Sequence, residues 1–168
     1  MKSIDIIKSG MFYWMQESYM ALRKHKNGIK QWQELMDKGL CAGYEKQCAK
    51  RGSGAKGFLK HVIARDRLLG LEAGGGIMAR KGKQITKFSY WIECPFAVLK
   101  DRIGVEEYEE ISTKGYLATK IRYFLGDGWV ASVVKSPWLG DKRTEWVVEK
   151  IGYSKPTKDS GHELWVCI

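Results

Sequence analysis

Residues 70–94 read GLEAGGGIMARKGKQITKFSYWIEC, and the spacing of apolar residues changes within them. Before Gly70 the apolar positions recur at steps of three and four; after Gly76 they alternate. Residues 77–80 and 84–92 therefore read as two strands around Lys81-Gly82-Lys83, which predicts a β-hairpin. The run from Gly70 to Gly76 reads as a break before it. Successive side chains of a strand face opposite sides, so Phe88 and Tyr90 share one face and Trp91 takes the other.

Working back from the hairpin, three helical patterns precede it. Residues 4–25 carry Ile7, Met11, Trp14, Met15, Met20 and Leu22 among polar residues. Residues 29–50 place Ile29, Trp32, Leu35, Met36, Leu40, Tyr44 and Cys48 in one apolar stripe. The segment Arg51-Gly-Ser-Gly-Ala-Lys-Gly57 interrupts that stripe. The third helix turns Phe58, Leu59, Val62, Ile63 and Leu69 inward and Lys60, Arg65 and Arg67 outward. Working forward, a helix begins near Pro95, a residue suited to the first helical position. Residues 105–125 form another, acidic at its start and basic toward its end, as the helix dipole favours. Strands follow over 129–134, 144–151 and 163–168, with a loop over 137–143. Helices followed by hairpins, without regular βαβ alternation, predict an α+β domain with N-terminal helices packed on an antiparallel sheet and further helices between hairpins. The chain reads as one domain over 1–168, with a basic helical part (1–69) and a sheet-forming part (70–168).

The 168 residues are 44% hydrophobic and 12% aromatic, enough for a sizeable core. Lys2, Asp5, Lys8 and Glu17 interrupt the first twenty residues, which argues against a signal peptide and against a membrane span. The expectation is a soluble cytoplasmic protein with no membrane partner. Cys41, Cys48, Cys94 and Cys167 include no CxxC pair, and His25, His61 and His162 are scattered. Reduced thiols and no metal site or other cofactor are expected. The formal charge of +10 falls entirely on residues 1–84, while residues 85–168 are neutral overall. Such asymmetry suits an anionic partner, nucleic acid included, or a solvated, lysine-rich helical surface.

Several short segments of the second half carry a resemblance. Glu93-Cys94-Pro95-Phe96-Ala97 ends the hairpin, and Lys114-Gly115-Tyr116-Leu117-Ala118 lies in a helix closing at Leu125-Gly126. A strand, Gly140-Asp141 in a turn, and a strand with Trp146-Val147-Val148 follow. This order, over about residues 70–151, resembles the 4-vinyl reductase domain family. Its superfamily relatives include the sensor domains of aromatic-catabolism activators and the thiazoline-carboxylate (ATC) hydrolase-like proteins. The resemblance implies an α+β fold, a homodimer, and a pocket between helices and sheet for a small apolar or aromatic ligand. The metal-binding members' cysteines have no counterpart here: the matching neighbourhoods read Ile111-Ser112-Thr113, Lys135-Ser136-Pro137-Trp138 and Arg143-Thr144-Glu145-Trp146. The family's zinc site is therefore not carried over. The second cysteine that the hydrolase-like relatives carry is absent too.

Three sets of side chains are candidates for chemistry. Cys94, before Pro95 at a helix start, would face free backbone N–H groups that lower a thiol pKa, with His61 or His162 as proton carrier; the alternative is a buried structural cysteine. Arg51 and Lys56 flank flexible glycines before a helix and suit a phosphate or carboxylate, or simply a solvated connection; the spacing fails the Walker pattern. Phe88, Tyr90, Trp91, Trp129 and Trp146, with Tyr116 of the GYLA segment, form the expected lining of a ligand pocket, against ordinary core packing. Aromatic strands also suit base stacking, but the basic charge sits on the helices. Glu106, Glu107, Glu109 and Glu110 serve the helix dipole. Three functions stay open: a sensor or carrier for a small hydrophobic or aromatic ligand, a hydrolase- or lyase-type enzyme using Cys94, and a basic nucleic-acid- or protein-binding regulatory factor.

Overall fold

A computed structural model describes residues 3–51, 54–94, 96–153 and 166–167. Three helices lead, α1 (Ser3–Leu22), α2 (Gly28–Arg51) and α3 (Gly54–Leu68), followed by the hairpin strands β1 (Ala73–Lys81) and β2 (Gln84–Glu93). One 3-10 turn, Ala97–Leu99, precedes a continuous helical run, and a second, Pro137–Leu139, lies between the third and fourth strands. That run comprises α4 (Val105–Glu109), a π-helical stretch (Glu110–Leu117) and α5 (Ala118–Leu125). Strands β3 (Trp129–Lys135), β4 (Arg143–Lys150) and β5 (Val166–Cys167) complete the order. All pairings are antiparallel, in the order β1-β2-β4-β3-β5. The chain is α+β, with helices before the sheet and between its hairpins. None of the described helices is long and apolar enough to cross a membrane.

The hairpin turn works as its glycine predicts. Gly82 takes φ +58° at the first central position, where a side chain would be strained. The run Gly70–Gly76, expected as a break, is corrected in part: β1 begins at Ala73 and carries Gly74, Gly75 and Gly76 within it. The reason is close approach. A Cβ on Gly74 would sit 2.6 Å from the Trp91 ring, and one on Gly75 would sit 2.3 Å from the Ser89 carbonyl oxygen and 2.9 Å from Leu59 of α3. We expect Gly75→Ala to lower stability by about 2 kcal/mol or more, because backbone must move to admit the methyl group. Urea unfolding checks this; a loss under about 0.5 kcal/mol would mean the strands part freely there.

One sheet face carries the core. Phe88, Tyr90 and Ile92 of β2 and Trp146 and Val148 of β4 are buried. Phe58 of α3 packs on Phe88, Tyr90 and Phe124, so the helical and sheet parts share one interior. The opposite face is solvated and laced with ion pairs, Lys87–Glu149, Arg143–Glu145 and Lys135–Glu145. A second apolar cluster joins Tyr19, Trp32, Cys94, Phe96, Leu99, Ile103, Tyr108 and Ile111. The helix expected from Pro95 is corrected: Pro95 lies outside the described residues, and Ala97–Leu99 makes one 3-10 turn before α4 starts at Val105.

Candidate ligand site: an apolar cleft over a buried lysine–aspartate pair

The apolar stripe of α3 passes through Phe58 and Val62, and a further step of four reaches Asp66. Likewise Tyr116, Lys120 and Phe124 stand at steps of four along the second helical run. Each charge thus sits where an apolar side chain belongs, and both Asp66 and Lys120 are fully buried. Tyr90 donates to Asp66 Oδ2, and Tyr116 donates to Oδ1 at 3.2 Å. Lys120 Nζ donates to Tyr90 at 3.0 Å, lies 3.5 Å from Asp66 Oδ1, and sits 3.6 Å from the centre of the Tyr116 ring. Trp146 stacks on Tyr90 at 5.5 Å and donates to Thr113 at 3.0 Å, locking the ring's position.

Burial dominates the electrostatics of this cluster. It pushes Lys120 down to about 8, with Arg65 adding repulsion and Asp66 opposing both. Burial and the negative charge of Asp66 hold the Tyr90 and Tyr116 hydroxyls well above their ordinary range. At neutral pH Lys120 is therefore an ammonium and the two phenols are neutral, all hydrogen-bonded around Asp66.

Tyr116 also faces outward from this cluster. It forms part of a cleft of about 260 Å³ whose wall also includes Phe12 and Met15 of α1, Leu35 and Met36 of α2, and Arg65 and Leu69 at the end of α3. The cleft is almost wholly apolar, and the charged side chain on its wall is Arg65. That residue, expected to point outward, is half-buried; its guanidinium lies 4.7 Å from the centre of the Tyr44 ring. Tyr116 belongs to the π-helical stretch, a distortion that recurs at functional sites because it re-aims side chains relative to the flanking turns.

The candidates from sequence are distributed as follows. Tyr116 lines the cleft, and Tyr90 and Trp146 support the buried pair behind it. Phe88 and Trp129 pack on each other in the core. Trp91 lies over Gly74 on the other sheet face, beneath Arg143 at 4.3 Å, beside an open depression with Arg67 and Glu72. This cleft lies among the helices, whereas the resemblance implies a pocket between helices and sheet; on the sheet's inner face, Phe88 and Tyr90 are packed against Phe58 of α3. Lys56 is exposed on α3, while the Arg51 side chain lies outside the described residues.

Cys94 is not at the start of an α-helix. Its thiol is buried, 3.2 Å from the Tyr108 hydroxyl, which in turn bonds Thr144. Burial pushes the thiol up, outweighing the Tyr108 and Thr144 hydroxyls and the Phe96 and Ala97 backbone groups that pull it down. A three-residue turn supplies too little dipole to reverse this. His61 is not joined to it: the ring stacks on Phe124 at 5.8 Å, and both its nitrogens are buried without a hydrogen-bond partner. His162 lies outside the described residues. We expect iodoacetamide to leave Cys94 unmodified at pH 7 in the folded protein and to reach it on unfolding. Peptide mass spectrometry checks this, and rapid labelling at pH 7 would restore the activated thiol.

Cys41 and Cys94 are free thiols, and no group of three or more His, Cys, Asp or Glu among the described residues is placed to hold a metal ion. The residues that sequence reasoning missed are Asp66, Lys120 and Arg65. The signal for the first two was a charge standing on an apolar stripe; Arg65 gave none. Comparison of the chain with protein families, curated proteins and solved structures finds no match.

Proposed function

We propose that the chain binds a small, mainly apolar or aromatic ligand in the cleft among α1, α2, α3 and the π-helical stretch, as a cytoplasmic sensor or carrier. The observation that carries this reading is the cleft itself, about 260 Å³ with apolar walls. Ligand sites are concave, mostly apolar and furnished with few polar groups, and this one has Arg65 and the Tyr116 ring. The resemblance to the 4-vinyl reductase domain family supports the same class of ligand, and it adds a homodimer to the reading. Sedimentation velocity tests the dimer; a monomer at high protein concentration removes that element and leaves the cleft.

Native against denaturing mass spectrometry of the purified chain looks for a retained small molecule. Met36→Trp supplies the control, since an indole in the wall occupies the cleft. We expect the wild type to bind 2-naphthamide, a neutral bicyclic probe, and the variant to bind it at least about tenfold more weakly, a difference of about 1.4 kcal/mol. Equal binding by both proteins, with the variant's fold confirmed by circular dichroism, places the ligand elsewhere and sinks the reading.

A further inference from the structure

We infer that the ligand of this cleft carries a single carboxylate, held by the guanidinium of Arg65. This rests on the cleft reading and names the chemical class of its ligand. Arg65 Nη1 is buried and has no hydrogen-bond partner. A buried charged donor left unmatched costs more than a neutral one, so an acceptor entering the cleft recovers that loss. Among the described residues, no acid forms an ion pair with Arg65. Asp66, its neighbour in α3, is already committed to Tyr90, Tyr116 and Lys120.

One guanidinium is the charged group on the cleft wall, so a single negative charge matches it, and a dianionic phosphate would leave a charge unmatched against apolar walls. Geometry favours a planar acceptor. The guanidinium lies over Tyr44 and against Gly43, where a Cβ would come within 3.3 Å of both terminal nitrogens. A guanidinium pinned in this way presents a fixed fork that matches a carboxylate. The remaining walls are Phe12, Met15, Leu35, Met36 and Leu69, so the body of the acid is apolar. A dry cavity of about 150 Å³ takes benzene, which makes this larger one suited to a bicyclic ring or a chain of about ten carbons.

Calorimetric titration of the full chain at pH 7 with 2-naphthoate and 2-naphthamide tests the inference. The two probes share shape and differ in charge. We expect the acid to bind about 10- to 100-fold more tightly than the amide, as a hydrogen bond to a charged group provides. In Arg65→Met the acid-to-amide ratio falls to near unity, and in Arg65→Lys it is intermediate because charge remains without the fork. Equal affinity of acid and amide for the wild type overturns the carboxylate and leaves the cleft reading standing. Failure of both probes to bind overturns the cleft reading and this inference with it. The wild-type comparison decides the matter even if Arg65→Met does not fold.

Discussion

Asp66→Ala lowers the unfolding free energy by about 3–5 kcal/mol, because it leaves the Lys120 ammonium buried without its counter-charge. The loss has three parts that act together: the ammonium loses its carboxylate, and the Tyr90 and Tyr116 hydroxyls lose their acceptor. Lys120→Met in the same background recovers part of the loss, since it removes the stranded charge while keeping the volume. Urea unfolding of the two single variants and the double variant measures the coupling, and additive single effects would show that the pair does not interact.

The pH dependence of the same pair has a definite sign. Lys120 titrates at about 8 in the folded chain and at about 10.4 when unfolded. Between those values the unfolded chain binds more protons, so this group contributes stability that rises with pH over about 8 to 10. Comparing the wild type with Lys120→Met isolates that slope, because tyrosine and cysteine titrations are common to both. The difference in unfolding free energy should move in favour of the wild type by about 3 kcal/mol across the window. A flat difference would place Lys120 in contact with water.

Trp146→Ala costs about 3–5 kcal/mol, as expected for deleting a fully buried indole from the sheet's inner face. Trp146 is buried on the central strand β4, stacks on Tyr90 and donates to Thr113 of the π-helical stretch. For a chain of this size each kcal/mol corresponds to about 2–4 °C, so the melting temperature falls by about 6–20 °C. Trp146→Phe keeps much of the packing but strands the Thr113 hydroxyl, and should lie between the two. Calorimetry checks the order. On the proposed cleft reading, the alanine variant also binds 2-naphthamide more weakly, because Tyr90 helps to position Asp66, which in turn holds Tyr116.

The α+β class was legible because helical and alternating periods are visible in single stretches, and the switch at residues 70–94 marks where one ends. Phe88, Tyr90 and Trp91 were assigned to the correct faces for the same reason. The candidate site was legible in part. Tyr116, Tyr90 and Trp146 were singled out, but as lining for a pocket against the sheet. Which aromatics pack against each other depends on how α3 and α5 lie across the sheet, and that is a property of long-range contacts.

From the sequence by itself come the order of helices and strands, the Gly82 turn, the strand faces and the concentration of positive charge in the first half. These follow from local sterics and from the periodicity of burial, which neighbouring residues carry among themselves. Tertiary structure alone decided that Gly74 and Gly75 belong inside a strand, that Cys94 is a buried, raised thiol, and that Arg65 faces a cleft. It also brought Asp66 and Lys120, 54 residues apart, into one hydrogen-bonded cluster. Burial and pairing of charges depend on the distance between segments remote in sequence, and no local pattern encodes that distance.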